Sequence, residues 1–219
     1  MTKSIRSARS LSLMAMLAAM AYVAMLITRP LPNVAGLLSY DLKDAVIAIA
    51  GFVLGPVAVL LITLVVSLIE MLTVSTTGPI GLLMNVLSTM AFAMPAAVLY
   101  SKKRTLKTAA LGMTLGVLLM TVLMLAWNYI ITPMYMGVPR DVVAGMLIPT
   151  FLPFNLVKGA LNAGITMLIY KPVSNILRRT GMMPRASTGS ANKTYKSIVT
   201  LVSLFVVVTC VVVLVLMTR

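Results

Sequence analysis

An all-α integral membrane protein is the fold class this sequence predicts, on three observations. Hydrophobic residues make up 60% of the 219, charged residues only 10%, and mean hydropathy is +1.06. An ordinary water-soluble domain carries about 25% charged residues. At roughly 20 apolar residues per span, the chain has room for about six or seven transmembrane helices and no sizeable soluble domain.

The elements follow from apolar runs and the residues that stop them. A polar head with Lys3, Arg6 and Arg9 precedes an apolar stretch, 11–28. This start has the look of a secretory signal, but its alanines are spread along the helix rather than gathered at a cleavage site, so it is read as a first span. Arg29-Pro30-Leu31-Pro32 ends it, and a stiff loop carrying Asn33, Gly36, Tyr40, Asp41 and Lys43 follows. Asp44 is expected to cap a short second helix, 45–54, which stops at Gly55-Pro56. A third runs over 56–74, with proline acceptable in its first turn. The turn Ser75-Thr76-Thr77-Gly78-Pro79 leads to a fourth helix that reaches Ser101, with Pro95 inside it. After Lys102-Lys103-Arg104 a fifth span covers 108–131. Residues 132–146, with Pro133, Gly137, Pro139, Arg140 and Asp141, read as an exposed connection. The sixth span starts at 148 or 154, depending on how Pro149 and Pro153 break it, and ends near 176. A polar linker, 181–197, then precedes an apolar β-branched run, 198–219, read as a seventh span.

Composition narrows the chemistry. There is no histidine, one cysteine (Cys210), and only Asp41, Asp44, Glu70 and Asp141 are acidic. The usual metal ligand and the commonest general base are therefore missing, and the chain is expected not to be an enzyme and to hold no metal or cofactor. It contains no G-x-x-x-x-G-K-[ST] phosphate loop.

A net charge of +14 would suggest nucleic acid as the partner of a soluble protein; in a membrane protein it reports orientation. With the N-terminus inside, cytoplasmic segments take thirteen basic residues: Lys3, Arg6, Arg9, Lys102, Lys103, Arg104, Lys107, Lys171, Arg178, Arg179, Arg185, Lys193 and Lys196. The outside takes four: Arg29, Lys43, Arg140 and Arg219. The chain is thus expected in a bacterial cytoplasmic membrane, N-terminus inside, surrounded by lipid and without a nucleic-acid partner.

The remaining cation, Lys158, falls within a span, where a lysine costs about 2.5 to 3.5 kcal/mol on insertion scales. At helical spacing Asn155, Lys158 and Asn162 make one polar stripe. Thr63, Ser67 and Glu70 share a face of the third helix, Asn85 follows the entry of the fourth, and Trp127-Asn128-Tyr129 closes the fifth. Four helices thus bring hydrogen-bonding groups and aromatic neighbours to the outer half, which suits a heterocycle in a pocket under the outer loops. The bland alternatives are that Lys158 snorkels to the headgroups and that the asparagines lock helices together. On the first helix, Ala15-x-x-x-Ala19 offers a face that another helix can approach closely, in this chain or in a partner.

In order, the alanine helix around Ala15 and Ala19, YDLKDAV at 40–46, GPIGLLMN at 78–85, WNY at 127–129 and LPFNLVKG at 152–159 resemble the riboflavin-specific S components of energy-coupling factor (ECF) transporters. The resemblance runs from about Ser10 to Arg179. It implies a six-helix vitamin-binding membrane domain over 1–180 that takes up riboflavin from outside. It also implies docking on a transmembrane coupling subunit with two ATPases, in keeping with the missing phosphate loop. Carried over by position, Asn128, Asn155 and Lys158 would hydrogen-bond riboflavin, with Asn85 and Trp127 beside it. Asp41 would help to close the mouth, Glu70 would be a less constant member, and Ala15 and Ala19 would face the coupling subunit. Whether the phosphorylated form, FMN, is also accepted stays open. The polar linker at 181–197 and the extra helix at 198–219 depart from the family pattern. The competing readings are an S component for another vitamin and a membrane scaffold without a small-molecule ligand.

Overall fold

The structure, a computed structural model, describes residues 8–30, 39–179, 201, 203–208 and 210. The expected loop stretch 31–38, the linker 181–197 and the greater part of the 198–219 span lie outside the described residues. Every regular element among the described residues is helical: α1 (Ala8–Thr28), α2 (Lys43–Leu54), α3 (Pro56–Thr73), α4 (Gly78–Lys102), α5 (Leu106–Met136), α6 (Arg140–Met146), a π-helical turn (Leu147–Phe151) and α7 (Leu152–Arg179). Residues 201, 203–208 and 210 are helical as well.

Among the described residues, five stretches are long and apolar enough to cross a bilayer: α1, α3, α4, α5 and the run Arg140–Tyr170 that joins α6 to α7. Their outward faces carry exposed Leu60, Leu64 and Leu68 on α3 and Leu111, Leu115, Leu118 and Val122 on α5. Such faces are stable only against lipid. Helix α2 has just 12 residues, about 18 Å at 1.5 Å per residue. Ten of the twelve are buried, because α1, α3, α4 and α7 pack around it. Apolar on all sides after its first two residues, Lys43 and Asp44, it forms the centre of the bundle.

Two backbone features set this packing. Gly55 joins α2 to α3 at φ 93°, a conformation costly for any side chain, and Pro56 starts α3 where its missing N–H is no loss. Between α4 and α5, a Cβ on Gly112 would sit 2.6 Å from the Ala96 Cα, and one on Gly116 would strike the Phe92 carbonyl oxygen. The two backbones approach as closely as small-residue membrane packing allows. Away from the loops, Tyr100 of α4 and Tyr170 of α7 share a buried hydroxyl hydrogen bond of 2.6 Å, beside Phe52 of α2. Tyr100→Phe removes one buried hydrogen bond with little change of volume and is expected to lower stability by about 1 kcal/mol, read as a small drop in melting temperature.

Three expectations change. Asp44 does not cap α2: the helix starts at Lys43, with Leu42 at its N-cap position and no side-chain cap bond. The Ala45 N–H is instead satisfied by Oδ1 of Asn162 on α7, at 3.0 Å, and Asp44 Oδ1 accepts from the Thr89 hydroxyl of α4 at 2.6 Å. A tertiary partner has taken over the work of a local cap. Helix α5 runs five residues past its predicted end, through Pro133 to Met136, where Gly137 adopts the left-handed conformation. Much of the predicted 132–146 connection is therefore helix, since Arg140–Met146 is helical as well. Pro149 and Pro153 do not break the next span but are absorbed where the π turn meets α7; the Leu152 N–H bonds to the Leu147 carbonyl, five residues back.

Candidate functional site

The end of α1, residues 39–41, the α3–α4 turn and the later part of α5 meet at one end of the bundle around a cavity of about 320 Å³. Its floor and walls come from α3, α4, α5 and α7. This size falls at the lower end of small-molecule pockets, roughly 300 to 1,000 Å³.

The polar stripe of α7 divides its labour. Lys158, 8% exposed, reaches the loop before α2, and its Nζ donates to Asp41 Oδ2 at 2.8 Å. Asn162 faces the protein instead: its Nδ2 donates to the Asp41 carbonyl at 2.9 Å and to the Lys158 carbonyl at 3.0 Å, while its Oδ1 holds α2. Thr166, a turn further, donates to the Asn162 carbonyl at 2.7 Å. Asn162 thus fastens the loop through its backbone, and Lys158 holds the loop carboxylate.

The charges form an alternating chain. Lys43 is 1% exposed, lies 4.0 Å from Asp41 Oδ2 and donates to Glu70 of α3. The order Lys158, Asp41, Lys43, Glu70 gives each buried ion an opposite neighbour, without which burial would cost several kcal/mol per ion. Burial works to raise the Asp41 carboxyl, but the ammonium groups of Lys158 and Lys43 and the hydrogen bonds from those residues outweigh it and hold it below the ordinary carboxylate range. One oxygen, Asp41 Oδ1, is buried without a hydrogen-bond partner among the described residues, as is the Tyr40 hydroxyl, and both residues line the cavity.

The amides are set by their own helices. Asn128 Nδ2 donates to the Met124 carbonyl at 2.7 Å and its Oδ1 accepts from Thr132 at 2.9 Å. Asn155 Nδ2 donates to the Phe151 carbonyl, the last of the π turn, at 2.7 Å. Next to Asn155, Phe154 packs against Tyr40 with ring centroids 4.8 Å apart and planes tilted by 51°. Across the cavity lie Tyr135 and the methionines 25, 84 and 124, polarizable groups suited to an aromatic ring.

Of the residues singled out in the sequence, Asp41, Glu70, Asn85, Asn128, Asn155 and Lys158 line this cavity together. Trp127 is not among the lining residues; one residue from Asn128, it points about 100° around α5, half-buried, with its Nε1 lacking a partner among the described residues. Ala15 and Ala19 are exposed on α1, away from the cavity. Sequence reasoning missed Arg29, Tyr40, Ser88, Tyr135 and Phe154 as lining residues, and it placed Lys43 with the exposed loop cations. The aromatic neighbours of Asp41 and Asn155 were the available signal; the burial of Lys43 had none.

The profile of the family described as "ECF transporter, substrate-specific component" matches residues 9–170. The chain is similar to the riboflavin transporter RibU of Staphylococcus aureus (strain TCH60), 28% identical over 170 residues that cover 75% of this chain and 89% of the relative. It is likewise similar to the riboflavin transporter FmnP of Bacillus subtilis (strain 168), 28% identical over 74% of this chain and 90% of that protein. The riboflavin transporter RibU of Streptococcus thermophilus (strain ATCC BAA-250 / LMG 18311) is 30% identical over 77% of this chain and 84% of its own. A solved structure of the S component of a bacterial ECF transporter superposes with a TM-score of 0.65 at 30% identity, covering 77% of this chain and 97% of that one. With its helical bundle, its polar cavity and a family match over most of its length, this multi-pass membrane chain belongs to the substrate-specific components of ECF transporters.

Proposed function

We propose that the chain binds riboflavin in the cavity at the loop end and delivers it across the bacterial cytoplasmic membrane, energised by a separate coupling subunit and two ATPases. The observation that carries the reading is the convergence of the Lys158–Asp41 pair, the Asn128 and Asn155 amides and the tilted Tyr40–Phe154 ring pair on one cavity. Riboflavin needs this mixture: a flat ring system with a donor–acceptor edge, and a polyol chain that takes hydrogen bonds. The names of the relatives point to the same vitamin. Asn85 and Glu70 complete the polar wall. The surplus of basic residues in alternate connections, Lys102, Lys103, Arg104 and Lys107 among them, supports an N-terminus in the cytoplasm and a cavity that faces outside. Ala15 and Ala19, exposed on α1, are the surface offered to the coupling subunit.

The test is a riboflavin titration of flavin-stripped protein in detergent, followed by the fluorescence of Trp127, the single tryptophan. Saturable quenching at sub-micromolar vitamin is the expected result. A stripped, folded and monodisperse protein that ignores riboflavin would turn the search to other vitamins, and binding of none would favour the scaffold reading.

A further inference from the structure

Lys43 is the least expected cation in the bundle. It is 1% exposed and opens α2, where the helix dipole disfavours a positive charge. Burying an ammonium is costly, and a buried ion pair is weak evidence for a gain in stability. Nor does Lys43 line the cavity, although both carboxylates that it meets do. Its Nζ donates to Glu70 Oε2, 27 residues away on α3, and lies 4.0 Å from Asp41 Oδ2. Lys43 therefore stands behind the wall, between two acidic groups that belong to the cavity.

The two carboxylates are held differently. Asp41 Oδ2 accepts from Lys158, and its Oδ1 is buried. Glu70 gives Oε2 to Lys43. Its Oε1 has no hydrogen-bond partner among the described residues and, unlike Asp41 Oδ1, is not buried; with the side chain 15% exposed, this oxygen opens onto the cavity. A glutamate has a flexible stem, but one oxygen fixed by a charge-assisted hydrogen bond leaves the other at a set place. The surroundings show what it suits. The α3–α4 side of the cavity supplies Ser75, Thr76, Thr77, Asn85 and Ser88 beside Glu70 and no aromatic ring, whereas Tyr40, Tyr135 and Phe154 come from the loop, α5 and α7. Hydroxyl groups, rather than a ring face, match that side.

We propose that Lys43 is a positioning residue: from behind the wall it holds one oxygen of Glu70, so that the other is a fixed acceptor for a hydroxyl of the bound molecule. With the polyol of riboflavin as the source of that hydroxyl, the second half rests on the functional reading above; the control of Glu70 by Lys43 does not.

The test combines riboflavin titration with difference infrared spectroscopy on the full-length chain. Lys43→Met is expected to weaken binding about 10- to 150-fold, the worth of one hydrogen bond to a charged group. Adding Glu70→Gln to that chain is expected to deepen the loss little, since both changes remove one interaction. In the wild type, riboflavin is expected to shift a carboxylate band that is absent from Glu70→Gln, and saturated Lys43→Met is expected to lack that shift. A lysine that only supports the fold would lower the melting temperature when replaced and leave the ligand-induced Glu70 shift in place. Unchanged affinity in Lys43→Met, a ligand that moves no Glu70 band in the wild type, or a Glu70 band that still moves in Lys43→Met overturns the proposal. Should Lys43→Met fail to fold, Lys43→Gln, which keeps a donor without the charge, is read by the same criteria. If the wild type binds no riboflavin, the functional reading fails and the hydroxyl acceptor with it, while the Glu70 band of the empty protein, expected to shift in Lys43→Met, still decides whether Lys43 sets that carboxylate.

Discussion

Lys158→Met is expected to weaken riboflavin binding by roughly 30- to 5,000-fold, the range for truncating one partner of a buried, hydrogen-bonded charge pair. Methionine keeps much of the length and apolar stem of lysine but removes the ammonium that holds Asp41 Oδ2 at 2.8 Å. The fold is expected to survive, because Asp41 retains Lys43 at 4.0 Å and its backbone stays fastened by Asn162. Titration by Trp127 quenching gives the affinity, and size exclusion with a melting curve checks the empty protein. Asp41→Asn in the same assay removes the anion from the other side, and the double variant shows whether the pair acts as one unit. If Lys158→Met lowered melting temperature but left affinity untouched, the lysine would be a structural lock and the scaffold reading would gain.

Gly116→Val is expected to be among the most destabilising single changes in the chain. The new Cβ would meet the Phe92 carbonyl oxygen, a backbone atom within a regular helix, so no rotamer change relieves the clash. Relief requires α4 and α5 to separate along their length, reopening the contact at Gly112 as well. Overpacking of this kind costs about 1 to 3 kcal/mol or more, which predicts a melting temperature lower by roughly 5 to 10 °C and a reduced yield of monodisperse protein. Gly145→Ala in α6, where a Cβ meets nothing within 4 Å, is the control and is expected to be neutral or slightly stabilising. Equal behaviour of the two variants would remove the close α4–α5 approach as a determinant of stability.

The spans were legible because a bilayer imposes length and apolarity on any helix that crosses it, whatever its partners. The ends were less so. Pro133 reads as a stop under the rules of water, where its missing N–H frays a helix; in α5 the helix continues through it. Arg140 and Asp141 look like loop residues and instead open a short helix. In the cavity, the 3–4 spacing of Asn155, Lys158 and Asn162 was visible, but the division between them was not. Asp41 lies 117 residues from Lys158 in the chain, and spacing within one helix says nothing of a partner that distant. For the same reason Asp44 looked like a cap: a local rule was available, and the buried Thr89 that overrides it was not.

The π turn at Leu147–Phe151 amounts to one residue more than an α-helix would use to cover the same stretch. Each residue added to or removed from a helix rotates what lies beyond it by about 100°. A single deletion within 147–151 would therefore act as a rotation rather than a shortening: with α7 held by Asn162, it is α6 that must turn. Val143, wholly buried now, would swing outward, and one of the exposed positions beside it would take its place over the bundle. Two proteins identical from Leu152 onward could thus present different faces of 140–146 at this rim, so length here, rather than residue identity, sets which surface the helix shows.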